Sequence, residues 1–135
     1  MAKINAAKVW SLNYRLVSEI ISGVAPQLAT LHLEPKELFI LAAIDEHPHP
    51  AALAGTLCMP KPTVTVYLKR LVAANFVRRE IDAGDLRRHR LNLTPVGRKI
   101  MVRGLTLLSE AFGARLSRLS AAEQAQFATF LERLT

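Results

Sequence analysis

A mostly α-helical fold with one small β-hairpin, in the order α-α-α-α-β-β-α-α, is what this 135-residue sequence predicts. Three observations lead there. Apolar residues recur at helical spacing near both ends of the chain. Prolines divide the middle into short helices. Two alternating stretches then flank Asp82, Ala83, Gly84 and Asp85, a quartet suited to a turn. Half of the residues are hydrophobic, so the chain can build a packed core, either as one domain or as a small domain with an added helical layer.

Leu12, Leu16, Ile20, Val24 and Leu28 repeat every fourth position, widened by Val17 and Ile21, which predicts an amphipathic helix over residues 5–29. Pro26 should kink it or end it. A second helix starts near Glu34 and Pro35 and turns Leu38, Leu41 and Ile44 inward. Pro48, Pro50 and Pro60 bracket a short third helix over residues 51–57. Pro62 opens the fourth, where Val64, Tyr67, Leu68 and Leu71 share one face and Pro62, Val66, Lys69 and Ala73 the other. Asn75 suits a left-handed cap behind it. Strands follow over residues 76–81 and 88–93, with Val77, Ile81, Leu91 and Leu93 on a common face. Thr94 and Pro95 cap a fifth helix whose stripe of Val96, Ile100, Leu105, Leu108, Phe112 and Leu116 carries it to about Leu119. Ser120 and Glu123 form a capping box for the last helix, which bears Phe127, Phe130, Leu131 and Leu134.

The formal charge is +7 with pI ≈ 10.2, and its distribution is uneven. Residues 61–103 hold eleven Lys/Arg against Glu80, Asp82 and Asp85, a net of +8; the remainder holds seven bases and eight acids. The excess positive charge therefore gathers around the fourth helix and the hairpin, which suits a polyanionic partner. Cys58 is the only cysteine, so no intrachain disulfide forms and a reducing compartment is expected. Cys58 itself is expected to be a buried small residue; the alternative is a thiol just before the fourth helix whose oxidation would disturb DNA binding. No apolar run approaches ~18 residues, and the N-terminal residues lack the apolar stretch of a signal peptide, so a cytoplasmic protein without membrane contact is expected. His32, His47 and His49 lack the spacing of zinc ligands. No nucleophile–base pair, carboxylate dyad or phosphate-binding glycine loop is visible, so neither an enzyme nor a cofactor is expected.

A short helix pair followed by a cationic hairpin is the arrangement of a winged helix-turn-helix, in which one helix enters the major groove of duplex DNA beside a β-ribbon. Lys61, Pro62, Thr63, Thr65, Val66 and Lys69 form the outward face of that helix, with lysine and threonine placed for phosphate or base edges. Val66 is either a reader of a thymine methyl or an apolar residue exposed without purpose. Arg70 serves either phosphate contact or an internal ion pair. Arg87, Arg88 and Arg90 lie along the hairpin, and Asp85 shapes the wing, because a carboxylate is repelled by phosphate. Arg78, Arg79, Arg98 and Lys99 supply long-range attraction. The apolar faces of the outer helices exceed what one winged domain covers; a two-fold dimer or an intrachain helical cap would use them.

This order and these motifs resemble the MarR family of bacterial transcription regulators. The resemblance rests on Lys61-Pro62-Thr63-Val64-Thr65 at the head of the recognition helix. It rests equally on Asp85-Leu86-Arg87 followed by Leu91-Asn92-Leu93-Thr94-Pro95-Val96-Gly97 in the wing. Pro60 and Pro62 stand where the family usually has hydroxyl residues, and Val66 where an arginine is common. The resemblance implies a winged helix-turn-helix over residues 33–94 and a helical dimerisation layer from residues 1–32 and 95–135. It implies Arg87 as a minor-groove arginine at the wing tip, a homodimer on a pseudo-palindromic duplex, and a small aromatic or phenolic ligand in a cleft between the layers. Trp10, Asn13, Tyr14 and Arg15 are read as interface packing, not assigned to that cleft. The expected function is a sequence-specific duplex-DNA-binding transcriptional regulator, a dimeric repressor acting by site occupancy and released by a small ligand. The alternative is a winged-helix module that binds protein or RNA without operator specificity.

Overall fold

The computed structural model describes residues 3–135, apart from the side chains of Asp82, Leu86, Arg87 and Arg88. Its elements follow the expected order: α1 (Ala6–Ala29), α2 (Pro35–Ala43), α3 (Pro50–Leu57), α4 (Lys61–Ala73), β1 (Val77–Asp82), β2 (Asp85–Leu93), α5 (Pro95–Leu116) and α6 (Ala121–Leu134).

Helix α1 opens at Asn5, whose side chain accepts the Lys8 N–H at 3.1 Å. It runs through Pro26 to Ala29 and does not end at the proline. Losing one backbone donor is tolerated because Val24 and Leu28 are fully buried on either side. The Thr30 hydroxyl and N–H then both bond to the Gln27 carbonyl, at 2.6 and 3.2 Å.

The core lies among α2, α3, α4, the base of the hairpin and the end of α1. Leu28, Leu38, Ile40, Leu41, Ile44, Leu53, Val64, Leu68, Leu71, Val77 and Leu91 are among its buried members. Helix α3 closes at Cys58 in the left-handed conformation (φ 52°), with Met59 N–H bonded to the Ala54 carbonyl at 3.1 Å. Cys58 is exposed, contrary to expectation. The turn directs it outward, while Leu53, Ala54 and the partly buried Leu57 and Met59 fill the space beneath. Asn75 takes φ 63° as its position requires, letting Phe76 N–H return to the Leu71 carbonyl and burying the Phe76 ring.

The antiparallel hairpin pairs Val77 with Leu93, Arg79 with Leu91 and Ile81 with His89. The second strand starts at Asp85, earlier than expected, so Ala83 and Gly84 alone lie between the strands. Ile81 follows the same alternation as buried Val77, yet it is 61% exposed because the ladder projects beyond the core. Helix α5 ends at Leu116, short of the expected Leu119, and its inward stripe differs from the one read in the sequence. Val96 and Leu105 are exposed, whereas Gly97 and Gly104 are buried. A Cβ on Gly97 would collide with the Phe76 backbone carbonyl, and one on Gly104 would lie 2.7 Å from Leu38 Cδ1. The helix thus approaches the winged domain through its glycines. Helix α6 begins with the expected Ser120–Glu123 box and has no buried residue. No helix among the described residues is long and apolar enough to cross a membrane.

Candidate nucleic-acid interface

Burial of Val64, Leu68 and Leu71 fixes the rotation of α4, and the 3.6-residue period then sends Lys61, Pro62, Thr65, Val66, Lys69 and Arg70 into solvent. Thr63 is half-buried. Pro62, Val66, Lys69 and Ala73 form the outer spine of the helix, as the sequence predicts; Val66 is 57% exposed. The Thr65 hydroxyl donates to the Lys61 carbonyl at 3.0 Å, so its proton is held within the helix.

Arg70 takes the internal option. Its Nη1 lies 3.3 Å from Glu34 Oε1 at the head of α2, and its guanidinium sits 5.7 Å from the centroid of the Tyr67 ring. The Tyr67 phenol also donates to Glu34; this bond, with the Arg70 charge, holds the Glu34 carboxyl below the usual carboxylate range and raises the Tyr67 phenol above its ordinary value. Glu34, absent from the expected site, therefore anchors the recognition helix. Only proximity in the fold reveals it.

In the wing, Arg90 is exposed and stands across from Glu80. The Arg87 and Arg88 side chains lie outside the described residues; their backbone belongs to β2, with Arg87 past the Ala83–Gly84 turn and not within it. Asp85 begins β2, in register with Asp82. The base of the wing is fastened to the α2–α3 connection by Leu91 N–H to the Pro48 carbonyl at 2.7 Å and by His49 Nδ1 to the His89 carbonyl at 3.1 Å. Neither link has a local sequence signal. Of the residues read as long-range charge, Arg98 is instead tied to Asp45 by two hydrogen bonds of 2.9 and 3.2 Å, which hold the Asp45 carboxyl below its usual range. Arg78 lies 3.9 Å from Glu80.

Away from this face, α1, α2, α5 and α6 enclose an apolar groove of about 290 Å³, lined among others by Asn13, Leu16, Phe39, Leu108, Phe112 and Phe127. Trp10 and Tyr14 are exposed with ring centroids 6.1 Å apart. Arg15 is paired with Glu19 at 2.9 Å, and Glu19 also binds Arg115 of α5 at 2.9 Å. Of these four α1 residues, Asn13 alone reaches the groove.

The family model of the MarR family matches residues 33–89. No curated protein matches the chain. Among solved structures, the chain is similar to MepR of S. aureus in complex with DNA (23% identity, 93% of this chain and 95% of that one, TM-score 0.79). It is also similar to a cysteine-to-serine mutant of E. coli MarR complexed with operator DNA (21% identity, 94% and 93%, TM-score 0.80). A third similar structure is a MarR family protein of Mycobacterium tuberculosis complexed with salicylic acid (27% identity, 92% and 93%, TM-score 0.76). Residues 33–89 therefore resemble the MarR family domain, and together with the outer helices they share the fold of these solved structures.

Proposed function

We propose that this protein is a homodimeric transcriptional regulator that binds a pseudo-palindromic duplex site and represses by occupying it. The observation that carries the reading is the exposed α4 face, with Lys61, Val66 and Lys69 outward, set beside the Arg90-bearing wing in the segment that holds the chain's excess positive charge. A helix enters the major groove and a cationic ribbon follows the backbone, with Arg87 and Arg88 on the wing, Lys61 at phosphate or base edges, and Asp85 shaping the turn; Thr65 reaches a phosphate only by giving up its bond to the Lys61 carbonyl. Arg70 joins them only by releasing Glu34. The DNA complexes of the S. aureus and E. coli structures support the same use of the fold.

The dimer is supported by apolar surface on the outer helices. Trp10, Leu12 and Val17 of α1 and Phe130, Leu131 and Leu134 of α6 are exposed, Leu134 to 82%. A second copy covering residues 1–32 and 95–135 would remove this surface from water and present two recognition helices with one symmetry. A small aromatic or phenolic ligand that releases the DNA is the corresponding proposal for regulation, supported by the salicylic acid complex of the M. tuberculosis protein.

Sedimentation combined with duplex titration tests the reading. The expected result is a dimer whose duplex affinity falls when Lys69→Ala and Arg87→Ala are combined, with a shallower dependence on salt. A monomer that ignores duplex DNA even at low ionic strength contradicts it.

A further inference from the structure

We infer that the recognition helix selects its site chiefly through the 5-methyl groups of thymine, with Val66 as the specificity-determining residue; this rests on the duplex-binding reading above. The inference comes from which groups on α4 are available. Arg70 is engaged by Glu34 and Tyr67, the Thr65 hydroxyl proton by the Lys61 carbonyl, and Thr63 is half-buried. What remains outward is Lys61, Pro62, Val66, Lys69, Val72 and Ala73. No asparagine or glutamine is among them, so the helix lacks the paired donor and acceptor that read adenine at N6 and N7. Its outer spine is instead apolar at Pro62, Val66 and Ala73, interrupted by the Lys69 ammonium and flanked by Lys61.

In the major groove the apolar feature of a base-pair edge is the thymine methyl, and the partners of a lysine are guanine O6 and N7 or phosphate. A valine 57% exposed between two lysines is thus complementary to a methyl group lying within a strongly negative groove. The charge at Lys61 and Lys69 commits this face to a polyanion, and the valine sets where along that polyanion it rests. A protein partner would need an acidic surface with an apolar centre; the +8 balance of residues 61–103 favours the nucleic acid.

The test starts from a duplex selected by the dimer from a random pool. Each thymine of the half-site is replaced in turn by deoxyuridine, which removes one methyl and leaves pairing unchanged. At one or two positions per half-site the wild-type protein should lose about three- to fivefold in affinity, the worth of one buried methyl-sized group. Val66→Ala should lose a similar factor on the thymine duplex and no longer distinguish it from the uracil duplex, so the two changes are not additive. Val66 is exposed, so the variant keeps its fold, and an unchanged urea midpoint verifies this. If every uracil duplex binds wild type as the thymine duplex does, the methyl proposal fails while duplex binding stands. If Val66→Ala still discriminates thymine from uracil, another residue reads the methyl and the assignment is overturned. If no duplex is selected, the functional reading and this inference fall together.

Discussion

Arg70, on the exposed side of α4, is ion-paired at 3.3 Å with Glu34 at the head of α2. The pair spans two helices of the winged domain and uses a cation that would otherwise stand among the exposed lysines of α4. Tyr67 completes it from below, under the guanidinium and bonded to the same carboxyl. The orientation of the recognition helix is thereby set by polar contacts at its edge as well as by Val64, Leu68 and Leu71 beneath it.

Arg70→Ala is expected to weaken duplex binding less than Lys69→Ala, because Lys69 has no such internal engagement to give up among the described contacts. Both groups of the Arg70–Glu34 pair are about half exposed (53% and 47%), so its loss should cost at most about 1 kcal/mol of stability. Glu34→Ala releases the guanidinium toward the groove and should raise affinity for random duplexes. Titrations of the three variants on selected and random DNA check the order.

Acid should loosen the same anchor. Glu34 is held low by the Tyr67 hydrogen bond and Asp45 by its bonds to Arg98. A carboxyl whose folded value lies below its unfolded value contributes stability that is present above the unfolded value and is lost as pH falls through the folded one. Glu34→Gln and Asp45→Asn should therefore lower the urea midpoint at pH 7, and the difference from wild type should shrink as the pH falls below the ordinary carboxylate range. A difference that persists unchanged at acid pH would contradict the assignment.

Gly97 and Gly104 of α5 should respond differently to alanine. At Gly97 the new Cβ meets the rigid Phe76 carbonyl, so Gly97→Ala should cost about 2 kcal/mol or more. At Gly104 it meets the mobile end of Leu38, and the better helix propensity of alanine offsets part of the crowding, leaving a loss of about 1 kcal/mol or less. Urea unfolding of both variants measures the difference.

These glycines also mark where the sequence was hard to read. Periodicity marks the long helices, prolines the short ones, Asn75 and the Ser120–Glu123 box mark helix ends, and charge counting marks the basic face, since each depends on neighbours in the chain. The buried face of α5 departs from the apolar stripe at Val96 and Leu105 because the close approach is made by residues with no side chain. Cys58 is exposed despite its small apolar character because burial at a left-handed cap depends on where the turn aims the side chain. The anchors Glu34–Arg70, His49–His89 and Asp45–Arg98 join distant segments and leave no periodic trace. The assignment of Arg87 and Arg88 rests on the resemblance and the charge pattern, and their side chains lie outside the described residues.

The Arg87 assignment yields its own expectation. A wing arginine that follows backbone or minor groove should contribute to selected and random duplexes alike, so Arg87→Ala should weaken both, whereas Val66→Ala should weaken the selected duplex alone. Electrophoretic shifts with the two probes separate these behaviours, and an Arg87→Ala variant indistinguishable from wild type would remove the wing from the interface.

Selection of bound sequences from a random duplex pool tests the central claim most directly, because affinity, symmetry and spacing emerge together. A dimer presenting two α4 helices should enrich an inverted repeat whose half-sites are centred about one helical turn apart, roughly 10–10.5 base pairs. Enrichment of nothing, or of a lone half-site without a symmetric mate, would contradict it.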